Sequence, residues 1–77
     1  MPLYFFHLTD GDLIEEDDVG QELPDPLSAL REAERFASEI CSDVEHPGRA
    51  FVRVADLRGN EAGIVLVPPT RALATPS

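Results

Sequence analysis

The sequence predicts a small α+β domain with the order β-β-α-β-β. Two hairpins flank one amphipathic helix, and a four-stranded sheet carries that helix on one face. Three observations point there. Side-chain character alternates along Leu3 to Thr9 and along Ala50 to Asp56, the period of a strand. Apolar residues recur at three- and four-residue steps from Leu27 to Val44, the period of a helix. Asp10-Gly11 and Arg58-Gly59-Asn60 stand where two hairpins need to turn.

The first strand places Tyr4, Phe6 and Leu8 on one face and Phe5, His7 and Thr9 on the other. Asp12 to Glu15 begins the return strand, an acidic cluster interrupts it, and Val19 to Leu23 resumes it, with Gly20 at a bulge or turn. Such a strand belongs at an edge, where its charges also discourage edge-to-edge association. Asp25 can cap the first free amides of the helix, and Pro26 suits its first position. Leu27, Leu30, Ala33, Ala37, Ile40, Cys41 and Val44 form the apolar stripe, widened by Ala29 and Phe36. Arg31, Glu32, Glu34, Arg35, Ser38 and Glu39 form the polar face, and the helix must end before Pro47. The last strand, Ala62 to Val67, is apolar on both faces through Ile64-Val65-Leu66-Val67, which suggests a central strand or one covered by a second subunit. Residues 1–68 therefore form one domain, and residues 69–77, with their prolines and small residues, read as a flexible tail.

Composition narrows the function classes. The chain has 77 residues and a formal net charge of −9. Eight acids lie between Asp10 and Asp25 with no basic residue among them, so most of the charge belongs to one segment. With no basic stripe, direct nucleic-acid binding is disfavoured, whereas a basic protein partner or a cation could be attracted. No apolar run is long enough for a membrane helix, and no secretory signal opens the sequence. Cys41 is the single cysteine, which excludes an internal disulfide framework and fits a reducing, cytoplasmic compartment.

Few residues have the chemistry of an active site. Cys41 lies on the apolar stripe and reads as core. His7 shares a strand face with Phe5 and Thr9 and stands three positions before Asp10, whose carboxylate could raise its pKa. The acids from Asp10 to Asp18 suggest calcium, but Ile14 stands where an EF-hand needs an oxygen ligand and Gln21 where it needs a bidentate carboxylate. A zinc site from His7, Cys41 and His46 would need distant elements to converge. His46 reads as a helix-end residue, and Arg31 with Arg35 could clamp an anion, although interleaved acids favour a solvated face. No metal, cofactor or catalytic residue is assigned.

Bookkeeping of faces points to an interaction protein. One helix hides one face of the sheet, leaving a row such as Phe5, Val52 or Phe51, and Val65 or Leu66. An exposed apolar patch of that kind is hidden by burying about 800 Å² per partner. A homodimer through the open face or the strand edge is expected. Phe5, His7, Asp12, Glu15, Glu16, Asp17 and Asp18 are the candidate partner-binding residues, and the expected role is a non-enzymatic protein-interaction or regulatory module.

The opening Pro2-Leu3-Tyr4-Phe5-Phe6-His7, the step Glu22-Leu23-Pro24-Asp25 and the closing Val54-Ala55-Asp56 with Gly59 resemble a family of short rhizobial-type alphaproteobacterial proteins catalogued as a domain of unknown function. The resemblance covers about Met1 to Pro68. It implies a bacterial, cytoplasmic origin and transfers no catalytic residue. Pro26 departs from the pattern and should only sharpen the helix start. The topology is also similar to the antitoxin half of small toxin–antitoxin pairs, which would make the alternative role sequestration of a basic toxin or RNA-acting enzyme. This chain lacks the further glycine-cysteine step and the DNA-binding segment of those proteins.

Overall fold

The structure is a computed structural model describing residues 1–68; the expected tail at 69–77 lies outside the described residues. Strands β1 (Leu3–Asp10), β2 (Leu13–Glu15) and β3 (Gln21–Glu22) precede helix α1 (Pro26–Ile40), and β4 (Ala50–Asp56) and β5 (Glu61–Leu66) follow it. The interrupted return strand is thus two short strands, β2 and β3, which share one side of β1. The sheet is antiparallel, in the order β2-β1-β4-β5 with β3 beside β1.

The helix starts as its sequence dictates. Asp25 has an extended backbone, its Oδ1 accepts the Ser28 N–H at 2.7 Å, and Pro26 takes the first turn. It ends at Ile40, with Cys41 as its C-cap, not at Val44. The Asp43 and Val44 amides both donate to the Ile40 carbonyl at 2.8 and 3.2 Å, a closing turn. The Asp10 carboxylate then takes the Glu45 and His46 amides at 2.7 and 2.8 Å, which draws the chain off the helix axis.

Ala29, Ala33, Ala37 and Cys41 form the buried spine of α1, while Leu27, expected in the stripe, is 57% exposed. Small side chains at four-residue steps let the helix come close to the sheet. At Gly63 in β5 the approach is tight: an added Cβ would lie 2.5 Å from Leu30 Cδ2. The core joins this spine to Tyr4, Ala50, Val52, Val54 and Val67.

Register settles which side chains go inward. Phe6, Val54 and Gly63 form one row under the helix, and Leu8, Val52 and Val65 the next. On the opposite face, Thr9, Phe51 and Leu66 align, as do His7, Arg53 and Ile64. Of the pairs left open by the sequence, Val52 and Val65 are therefore core, and Phe51 and Leu66 face away from the helix.

Two further expectations need correction. First, β5 is an edge strand, not a central one. Its run is apolar on both sides because Val65 and Val67 pack beneath the helix while Ile64 and Leu66 stay 49% and 74% exposed on the other face. Second, the helix does not cover its whole face. It lies over β4 and β5, so Phe6 and Leu8 of β1 flank it, half-buried.

Candidate functional site

The uncovered face carries an apolar row. Ile14 of β2, which is 60% exposed, aligns with Thr9, and the row continues through Phe51 to Leu66. Phe5 and His7, both expected here, do lie on this face, half-buried, with parallel rings 6.3 Å apart. Arg53 breaks the apolar surface between His7 and Ile64. The loop before β3 covers the Phe5 end. Gly20 has φ +80° there, and a Cβ on it would lie 2.9 Å from Phe5 Cε1 and 3.0 Å from Leu3 Cγ.

Among the described residues β5 is the last strand on its side of the sheet. The Val67 amide donates to the Ala50 carbonyl at 2.9 Å. Strand alternation then directs the Val65 and Gly63 backbone groups toward β4, and those of Ile64 and Leu66 outward. No strand pairs with that edge among the described residues.

The other edge is closed by a side chain. The same alternation turns the backbone of Tyr4, Phe6, Leu8 and Asp10 away from β4. β3 meets Tyr4, and β2 meets Leu8 and Asp10. Phe6 falls in the gap, and its amide donates to Asp17 Oδ2 at 3.1 Å. Asp17 Oδ1 accepts the Val19 and Gly20 amides at 3.0 and 3.1 Å. Burial acts to raise the Asp17 pKa, but these amides, with His7 nearby, prevail and hold it below the ordinary carboxylate value. The Asp17 amide donates to His7 Nδ1 at 3.1 Å. Asp17 is therefore an internal strand substitute, whereas Asp12, Glu15, Glu16 and Asp18 are exposed and make no side-chain hydrogen bond among the described residues.

His7 consequently neighbours Asp17 and not Asp10. Positions 7 and 10 have opposite parity, so their side chains leave opposite faces of β1. Asp10 is buried and serves the second half of the chain. Besides the Glu45 and His46 amides it contacts His46 Nδ1 at 3.3 Å. The Glu45 amide, against the cost of burial, and then His46 hold its pKa down. His46 is thus a tether between the β1–β2 turn and the approach to β4, beyond the end of α1 and at the start of the 3-10 turn Pro47–Arg49. Cys41 is free and buried. No group of three or more His, Cys, Asp or Glu side chains converges to hold a metal among the described residues. The Arg31–Arg35 clamp does not form, because the Arg35 guanidinium binds Glu32 and Glu39 along the helix.

One feature escaped sequence reasoning. A groove of about 340 Å³ runs between α1 and the acidic segment. Phe6, Leu8 and Phe36 give it an apolar floor, and Glu15, Glu16 and Glu32 stand along its walls. The signal was present in Phe36, which widens the apolar stripe beyond what the alanine spine needs. The charge of Glu15 is plain in the sequence, but only register places it beside Leu8, on the helix side.

No described helix is long and apolar enough to cross a membrane. Neither a curated protein nor a solved structure matches the chain. The order of strands, the Asp25 cap and the Asp17 plug all lie within residues 3–67, the stretch that matches the family described as Domain of unknown function (DUF6894), and the chain belongs to that family.

Proposed function

We propose that this chain is a bacterial, cytoplasmic, non-enzymatic protein-interaction module that pairs with a second copy of itself through the uncovered sheet face and the β5 edge. One observation carries the reading: Ile14, Leu66 and Ile64 stay exposed, with half-buried Phe51 between them, on the side away from the helix. Solvated apolar rows next to an unpaired strand edge are the surfaces that recognition by sheets uses. The chemistry of the interior supports a non-catalytic role. Its two His–Asp neighbourhoods, Asp10 with His46 and Asp17 with His7, serve to hold backbone amides. The buried free thiol of Cys41 supports a reducing compartment. The exposed acids Asp12, Glu15, Glu16 and Asp18 would steer a basic partner. An antitoxin-like role is the same physics with a basic toxin as that partner.

The test is the mass of the full chain in solution by light scattering at low micromolar concentration. A dimer that becomes a monomer on Leu66→Asp supports the proposal. A monomer at every concentration overturns self-pairing.

A further inference from the structure

The groove beside α1 has a composition that the sheet face lacks. Its floor is aromatic and aliphatic, its walls are acidic, and it lies on the helix side of the sheet. The helix sits over β4 and β5, so Phe6 and Leu8 of β1, although they touch the core, are only partly covered, unlike buried Tyr4. Phe36 reaches the groove from the helix and remains half-buried, as do Phe6 and Leu8. Charge is unequally available along the walls. Asp17 gives its carboxylate to backbone amides, and Glu32 is paired with Arg35. Glu15 and Glu16 are exposed and make no ion pair among the described residues.

From these observations we infer that the groove is a binding site for a short basic peptide segment carrying one or two large apolar side chains. The apolar side chains would cover Phe6, Leu8 and Phe36, and flanking arginines or lysines would pair with Glu15 and Glu16. A site of this size suits one or two side chains and not a folded domain. Its acidic walls select for cationic flanks and against an acidic segment. The inference deepens the acidic-steering part of the proposal above by naming the occupant, and it is independent of self-pairing because it uses the opposite face.

A fluorescein-labelled peptide with a Leu-Phe pair between arginines tests it, read by anisotropy and by amide shifts of the labelled full chain. The expected result is saturable binding with shifts at Phe6, Leu8, Glu15 and Phe36. Replacing the peptide's Leu and Phe by Ser should weaken binding by more than about tenfold. Glu15→Gln with Glu16→Gln, both exposed and so safe for folding, should weaken it by about fivefold. Leu66→Asp should leave it unchanged, which separates the groove from the sheet face. Equal binding of the Ser peptide would mean charge attraction without a groove and overturn the inference. So would shifts confined to Phe51, Ile64 and Leu66, or no binding by any peptide.

Discussion

At one side the sheet ends in β2 and β3, of three and two residues, split by the acidic segment and sealed by the Asp17 carboxylate. At the other it ends in β5, six residues long, with Ile64 and Leu66 in water and their backbone groups turned outward. An unguarded strand edge is a template for pairing, and folded proteins break, charge or cover such edges unless they use them. The β2/β3 edge is broken and charged. The β5 edge has one charge, Glu61, and a register shift at its start, but its second half exposes the apolar Ile64 and Leu66. The two sides therefore differ in what they present: short strands, a plugged gap and free carboxylates on one, and apolar side chains beside a longer strand on the other.

Acid should erase the contrast most completely. Asp10, Asp17, Asp25 and Asp56 are each held below the ordinary value of 3.8, in every case with backbone amides of the folded chain as lowering partners. A carboxylate with a depressed folded-state pKa contributes its full stability above the unfolded value and loses it as pH falls through the folded one. Denaturant titrations should therefore give a steady midpoint from neutral pH down to about 4.5 and a steep fall below about 4. A flat profile to pH 2.5 would contradict the capping roles.

Gly63→Val comes next. It forces Leu30 away from the strand on which the helix rests, at an expected cost of about 2–3 kcal/mol. An unchanged urea midpoint would mean that α1 does not seat on β5. Asp17→Ala should cost about 2 kcal/mol, chiefly by stranding the part-buried Phe6 and Gly20 amides, since the Val19 amide can turn to water. Asn has a single carbonyl acceptor, so Asp17→Asn should recover only part of this. The sharper readout is hydrogen exchange. The Phe6 amide should lose protection in Asp17→Ala while the Val52 and Val54 amides keep theirs, and equal loss at all three would make Asp17 a general prop and not an edge plug. The smallest effect on folding belongs to Ile64→Lys with Leu66→Lys, within about 0.5 kcal/mol, because both side chains are already solvated. Their effect on association should be large. Sedimentation that leaves the mass unchanged would detach β5 from the proposed pairing.

Much of this was legible in the chain. Alternation placed Phe5 and His7 together, the Pro24-Asp25-Pro26 step placed the helix start, and the acidic break placed an irregular edge strand. What was not legible was partnership at long range. Asp10 and Asp17 look alike as acids in one charged run. One holds amides at Glu45 and His46, the other plugs a gap beside Phe6, and no local pattern separates them. The helix end failed for the same reason. The apolar spacing continues to Val44, but a carboxylate more than thirty positions upstream draws the chain away after Ile40.

The sequence alone determined the class of fold, the succession of hairpin, helix and hairpin, and which residues of a strand share a side, because periods of two and of three to four are consequences of backbone geometry. The tertiary structure decided which strands become edges, where on its face the helix rests and which carboxylates remain free. Those outcomes depend on how Leu30 meets Gly63 and how Asp17 meets Phe6, contacts between residues far apart in the chain whose geometry exists only once the sheet has closed.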